Sequence, residues 1–355
     1  MLERLRTQSA QSTTSRPLAI VSRGMSAGAG GLEMFNANLV KALQSRADLF
    51  VAPHAATSKL KDYASRLAQT IAFLRRHRQA DVLVQYGSFL DVLVLPVLHL
   101  FSSRIRVIAH VSDSWVHVRN PALFALTRLI LKSCTQRLFV LADQQASVFA
   151  AVRPVKIHTV VGSAFAGPSA NVKREGFAFI GRVVAEKGIL DLLAAWDDQR
   201  IRGRRLTLRV YGRSDAQTLA RIEAEIARLR LGDVISLEGS LQGDSAVIAA
   251  MERAQALLYP TYADAFPLVM IESFARGTPC LVSTVGEGRS FVGNADLVVE
   301  PGDIAAIADA VIRLADGRIA PDYLAAMQEK ARRYASAEIV ADLERHGAIS
   351  LGDLR

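Results

Sequence analysis

Asp264 and Glu272 are the two carboxylates whose surroundings most suggest chemistry. They lie in the run Tyr259-Pro260-Thr261-Tyr262-Ala263-Asp264-Ala265-Phe266-Pro267-Leu268-Val269-Met270-Ile271-Glu272, which reads as strand, loop and short helix. Pro267 suits the first helical turn, and Gly277 followed by Pro279 closes the helix. Eight residues at helical rise put the carboxylates roughly 12 Å apart. The paired carboxylates of a glycosidase need roughly 5–9.5 Å, so that chemistry is excluded. The spacing suits the two ends of an elongated ligand instead. Between them the helix start offers free backbone N–H groups, a ready phosphate site. A nucleotide-diphosphate sugar fits this layout: sugar at Asp264, phosphates at the helix start, ribose hydroxyls at Glu272. The alternative is that Asp264 is only an N-cap and Glu272 a solvated helix residue.

A second segment, Phe179-Ile180-Gly181-Arg182-Val183-Val184-Ala185-Glu186-Lys187-Gly188, sets two cations in a loop between a strand and a helix starting near Ile189. Arg182 and Lys187 can converge there on a diphosphate and neutralise the charge of a departing nucleotide, as a metal does in other transferases. Otherwise they are surface charge. Other nucleotide chemistries lack their residues. No Walker A pattern occurs, Glu33 stands where the dinucleotide fingerprint needs its third glycine, and no Asp-x-Asp pair is present to hold a divalent cation.

The elements that must position these residues alternate. Apolar runs at Pro17–Ser22, Leu49–Val51, Val82–Val84, Arg106–Ala109, Arg137–Leu141 and Lys156–Val161 read as strands, with amphipathic stretches between them. After a Gly/Ser/Pro/Asn-rich linker, 162–171, a second set follows at Phe177–Ile180, Leu206–Tyr211, Val234–Leu237, Ala256–Tyr259, Cys280–Val282 and Leu297–Val299. Short apolar strands separated by helices predict parallel sheets covered on both faces, hence an α/β protein of two Rossmann-like domains facing across a cleft. The expected organisation is a flexible tail over 1–16, an N-terminal domain over 17–162, a C-terminal domain over 163–332 and a helical segment over 333–355.

Composition sets outer bounds. The 355 residues are 50% hydrophobic, enough for two cores, and carry a formal charge of +9, which favours anionic partners. Two cysteines are too few for a disulfide framework or a zinc site. No secretion signal or membrane-spanning stretch is visible, so the expected location is the cytoplasm. Arg75-Arg76-His77-Arg78 and the basic, apolar-interleaved stretch Arg119–Arg137 read first as a solvated face; the alternative is docking on an anionic membrane to reach a lipid-linked acceptor. No basic-aromatic motif of a nucleic-acid reader is present.

Taken together, Gly181-Arg182-x4-Lys187-Gly188 and Asp264-x7-Glu272 ending in Gly277-Thr278-Pro279 resemble the retaining family 4 glycosyltransferases of GT-B fold. Gly30-Gly31-Leu32-Glu33 and Leu237-Glu238-Gly239 add to the likeness, which runs in order from about residue 18 to 315. The resemblance implies that Arg182 and Lys187 bind the donor diphosphate, Asp264 faces the sugar hydroxyls and Glu272 accepts from the ribose. It implies that Phe266 and the N–H groups of Leu268 and Val269 meet the donor, and that the loop Gly239 to Leu241 lies against the base. Gly30 and Gly31 would let the backbone approach the diphosphate, and His110 would stand beside the donor sugar. The C-terminal segment would return to the first domain. Three departures stand out: Asp264 where glutamate is usual, Pro267 where glycine is common, and Val161-Gly162-Ser163-Ala164 in place of Asn-Gly. The implied activity is metal-independent transfer of a hexose from a UDP- or GDP-sugar to a glycan or lipid-linked acceptor, with retention, in cell-surface polysaccharide or lipopolysaccharide synthesis. A nucleotide-sugar epimerase and a non-catalytic nucleotide-binding scaffold subunit share the architecture.

Overall fold

Strands form where β-branched and aromatic residues cluster, and their burial shows which become central. In the computed structural model, described for residues 16–22, 31–44, 48–52, 59–111, 115–157, 172–264, 266–334, 336–347 and 349, twelve strands make two parallel sheets. The first contains β1 (Leu18–Val21), β2 (Leu49–Val51), β3 (Asp81–Tyr86), β4 (Ile105–Ala109), β5 (Arg137–Val140) and β6 (Val155–Lys156). Its order is β2-β1-β3-β4-β5-β6. The second contains β7 (Phe177–Ile180), β8 (Leu208–Tyr211), β9 (Ile235–Gly239), β10 (Ala256–Tyr259), β11 (Cys280–Ser283) and β12 (Val298–Val299), in the order β12-β11-β10-β7-β8-β9. All pairings are parallel, with Ala256 of β10 opposite Phe177 of β7 and Leu18 of β1 opposite Asp81 of β3.

The chain winds outward one way from β7 through β8 to β9, then returns to the other side of β7 with β10. The strand order therefore reverses between β7 and β10, and the carboxyl ends of these two strands open a crevice. In the first sheet the same reversal lies between β1 and β3. Strands β3 and β10 are buried along their whole lengths, which explains their largely apolar character. Asp81, at the start of β3, offsets its burial by pairing with Arg106 at 2.9 Å.

Helices cover both faces of each sheet. One face of the first sheet is covered by the helices Phe89–Leu93, Leu95–His99 and Pro121–Cys134, whose Val92, Leu98 and Leu131 share a core with Val82, Val84 and Val107. On the other face Phe35, Leu39 and Leu43 of the helix Gly31–Leu43 cover Ile20 and Leu83. The helix Ser336–Arg345 packs against Gly31–Leu43, with Ile339, Val340 and Leu343 buried. A second contact joins the two halves of the chain. Glu287, beyond β11, pairs with Lys156 at 2.7 Å and accepts from the Asp143 N–H at 2.9 Å.

Several expected boundaries shift. The strand expected over 156–161 is Val155–Lys156 within the described residues, and β8 starts at Leu208 rather than Leu206. The tail to residue 15, Gly30, the linker 162–171 with its Val161–Ala164 corner, and residues 350–355 lie outside the described residues. No helix among the described residues is long and apolar enough to cross a membrane.

Candidate functional site

The crevice between β7 and β10 collects most of the residues singled out by sequence. After β7 the chain turns through Gly181 and Arg182 into the short 3-10 turn Ala185–Lys187, which ends at Gly188 with φ +74°. A Cβ on Gly188 would stand 2.1 Å from the Pro260 carbonyl oxygen. Glycine is thus needed both for the left-handed backbone and for the approach of the loop that follows β10. That approach is sealed by the Tyr262 N–H donating to the Glu186 carbonyl at 2.8 Å.

As a result Lys187 does not reach into solvent. It is only 6% exposed, and its Nζ donates to Asp264 Oδ2 and to the Ala263 carbonyl, each at 2.7 Å. The Nζ also lies 5.3 Å from the centre of the Tyr259 ring. Tyr259 Oη donates to the same Asp264 oxygen at 2.9 Å, while Oδ1 accepts from the Phe266 N–H at 3.2 Å. Burial, reinforced by the Asp264 charge, raises the Tyr259 phenol well above its ordinary value, so it remains a donor. Asp264 is therefore held on both oxygens by a cation, a phenol and a backbone amide. Arg182, by contrast, is exposed, and its side chain makes no hydrogen bond or ion pair among the described residues.

The helix Leu268–Ala275 follows, with Pro267 at the N-cap position and no side chain capping the first turn. Leu268 and Val269 consequently offer N–H groups that have no partner inside the helix. One turn on, Glu272 is partly buried, and its carboxyl group has no hydrogen-bond or ion-pair partner among the described residues. Desolvation, with the nearby Asp244 charge adding to it, pushes its carboxyl from 4.5 up to about 7. Asp244 lies in the first turn of Gly243–Arg253, so Glu272 stands toward the loop that leaves β9 at Gly239. Gly239 itself has φ +72° and open space where a side chain would stand, and Leu241 is partly exposed beside it.

Three sequence expectations change here. Asp264 lies in the loop before the helix, not on it, so helical rise does not measure its distance from Glu272. Pro267 precedes the first turn rather than forming it. Phe266 turns its ring inward, 5.8 Å from Tyr334 and 6.4 Å from Phe291, and is 7% exposed. Its ring is core, and its contribution to the site is the N–H held by Asp264.

His110 belongs to the other sheet, where it follows β4, and among the described residues no hydrogen bond or ion pair links it to the crevice. Its Nε2 is 2.7 Å from Gln85 Oε1, and its ring meets Phe35 edge-on at 4.6 Å. Desolvation pulls its pKa from 6.5 down to about 3, leaving a neutral imidazole at physiological pH. Gly31 opens the helix that supplies Phe35. Sequence reading passed over two residues that the structure brings forward. Tyr259 carried the only available signal, a tyrosine ending a buried strand just before the acidic loop. Gln85 is fully buried in β3, with its amide nitrogen unpartnered beside His110.

Two parallel sheets with a cation-lined crevice at the second strand reversal narrow the comparison to few families. Residues 164–334 match the family model described as Glycosyl transferases group 1. That match covers just under half of the chain. Every crevice residue described above, from Arg182 to Glu272, falls inside the matched stretch. The two-sheet arrangement is the GT-B fold. Sucrose-phosphate synthase from Thermosynechococcus elongatus superposes with a TM-score of 0.74 at 19% identity, covering 94% of this chain and 98% of that one. Anabaena HepE, solved in complex with UDP and glucose, superposes with a TM-score of 0.75 at 13% identity, covering 94% and 99%. Among curated relatives, an exopolysaccharide phosphotransferase of Streptomyces coelicolor is 31% identical over 142 residues, 39% of this chain and 14% of that protein. Glycogen synthase of Mycobacterium tuberculosis is 30% identical over 156 residues, 43% of this chain and 36% of the synthase. The aligned part therefore spans well under half the length of either curated relative.

Proposed function

We propose that the protein transfers a hexose from a nucleotide-diphosphate sugar to a glycan or lipid-linked acceptor, with retention at the anomeric carbon and without a metal. The observation that carries this is Glu272: a desolvated carboxyl with no protein partner among the described residues, one turn beyond an uncapped helix start. Such a group is stabilised by a ligand that brings hydroxyl donors, and a ribose diol does so. The Leu268 and Val269 N–H groups then meet the phosphates, and Asp264 meets the sugar hydroxyls.

The chemistry follows from charge. The anomeric C–O bond to the β-phosphate breaks, and its electron pair leaves with the diphosphate. Arg182 is free to meet that developing charge, and Lys187 adds to it once it shares Asp264 with the ligand. The acceptor hydroxyl oxygen bonds to the anomeric carbon from the face being vacated, and its proton passes to the departing phosphate oxygen. Neutral His110, beside Gln85, serves as a hydrogen-bonding wall of the first domain rather than an acid. The transfer takes place on the cytoplasmic side of a membrane, in the assembly of a surface polysaccharide or lipopolysaccharide; the likeness to an exopolysaccharide phosphotransferase of Streptomyces coelicolor supports the polysaccharide part of this reading.

The test is thermal unfolding with UDP, GDP and ADP, each in excess EDTA, followed by product analysis with the matching sugar nucleotides. A ligand at 100 times its Kd stabilises by about 2.7 kcal/mol, which is readily measured. A shift with one nucleotide and a retained glycosidic product supports the proposal. No shift with any of the three refutes the donor site, and a free epimerised sugar nucleotide refutes transfer. UDP is the first choice because HepE was solved with it.

A further inference from the structure

Apolar side chains on the outside of a folded domain are ordinary when scattered and informative when gathered. Of the ten large hydrophobic residues found exposed among the described residues, eight lie between Leu90 and Leu129. They sit on or beside the short helices Phe89–Leu93, Leu95–His99 and Val116–Arg119 and on Pro121–Cys134, against which the other three pack. Leu100 is 80% exposed, Val116 82% and Leu129 62%. These helices bury their other sides on one face of the first sheet, so the outward residues form the free surface of a single layer.

The charges around this surface have one sign. On these four helices the exposed Lys and Arg face no exposed carboxylate, because the one acidic residue among them, Asp91, is buried. Arg119, Arg128 and Lys132 are exposed on the same helices as Val116 and Leu129. The Arg128 guanidinium lies over the Phe124 ring at 5.1 Å, and that of Arg75 over Phe101 at 5.2 Å, so cations stand directly on the aromatic surface of this face. A protein partner would have to bring acidic residues around a broad apolar patch. An anionic lipid leaflet brings both, with negative headgroups above a hydrocarbon layer.

We infer that this face, with the exposed Leu100, Val116 and Leu129 and the cations Arg119, Arg128 and Lys132 on the same helix layer, inserts into the headgroup region of an anionic membrane. The contact is interfacial, since no described helix can span a bilayer. It deepens the proposed use of a lipid-linked acceptor and rests on that reading only for its purpose, not for its measurement.

The molecule supplies its own probe. Of its two tryptophans, Trp196 is fully buried in the second half of the chain, whereas Trp115 is exposed beside Val116. Full-length protein, without nucleotide or acceptor, is mixed with vesicles of phosphatidylcholine alone or with roughly 30–40 mol% phosphatidylglycerol, a range in which basic residues contribute measurably. Binding is expected only to the anionic vesicles, with a blue shift of Trp115 fluorescence and its quenching by brominated acyl chains. The variant Leu100→Glu/Leu129→Glu is expected to lose binding by about tenfold or more. Arg128→Glu/Lys132→Glu is expected to lose about 25-fold or more, at about fivefold per basic residue removed. Both change exposed positions, and an unaltered unfolding midpoint verifies that they fold. Wild-type protein that ignores anionic vesicles overturns the inference. So does a wild-type dimer that either variant converts to monomer, because the face would then be covered by a second copy. Vesicle binding by a protein that binds no nucleotide would sink the proposed transfer and leave this inference standing.

Discussion

Replacing Glu272 by glutamine should make the unliganded protein more stable and its nucleotide binding weaker. The carboxyl titrates near 4.5 when unfolded and at about 7 when folded, because burial and Asp244 disfavour its charge. The folded state therefore holds a proton that the unfolded state has released between those values. Its contribution to stability is fully present below about pH 4.5 and is lost as pH rises through 7. The shift corresponds to a ceiling of roughly 3 kcal/mol. Since the side chain keeps part of its hydration, we expect about 1–2 kcal/mol at about pH 8 for Glu272→Gln and nothing at about pH 4.5. At about 2–4 °C per kcal/mol, the midpoint should rise by roughly 2–8 °C at the higher pH. Hydrogen bonds to a charged acceptor contribute about 1.5–3 kcal/mol, so the variant should lose about tenfold or more in affinity for the preferred nucleotide. Calorimetric titration with that nucleotide and thermal melts across about pH 4.5–8.5 read both quantities. A variant that is less stable in mild base makes Glu272 a structural residue. One that binds nucleotide unchanged refutes the ribose assignment.

Lys187→Ala should abolish transfer and also destabilise the protein by about 3 kcal/mol, because it strands Asp264 and empties the site above Tyr259. The double change Lys187→Met/Asp264→Asn should recover much of that stability, measured in urea, without recovering activity; recovered activity would contradict the roles given to both. Tyr259→Phe removes one hydrogen bond to Asp264 and should cost about 1 kcal/mol of stability, while turnover falls more than donor affinity does. Equal loss in both would mean that Tyr259 does not position Asp264. His110, held neutral with its pKa near 3, makes stability fall as pH drops below 6.5, where the unfolded chain takes up the proton first. His110→Gln should flatten the dependence of the melting midpoint on pH between about 6.5 and 4.5; an unchanged slope would assign that loss to other groups.

Much of the fold is legible because its signals are local. Strands such as Ala256–Tyr259 are short apolar runs ended by turn residues, and every side of a central parallel strand is buried, so hydrophobicity alone marks them. The loop glycines and the cations Arg182 and Lys187 are equally local, since a turn with positive φ at Gly188 demands its residue type wherever it occurs. The edges blur where pairing decides them. Leu206 is as apolar as Leu208, but β8 begins where Leu208 finds Phe177 across the sheet.

Residue order alone settled the alternation of elements, the α/β class and the neighbourhood of Asp264 and Glu272 in the chain. Three-dimensional packing decided which of these groups meet. Lys187 and Asp264 are separated by 77 positions and touch only because β10 returns beside β7. The same return puts the Tyr259 hydroxyl on Asp264. Phe266 and Leu129 show the limit in opposite directions: an aromatic in the loop before the helix Leu268–Ala275 packs inward on Tyr334, and a leucine within an apolar helix faces out. Residue type sets the free energy of burial, but which residues are buried depends on the layer that covers them. Likewise Glu272 carries an ordinary carboxyl until the surrounding helices take its water away.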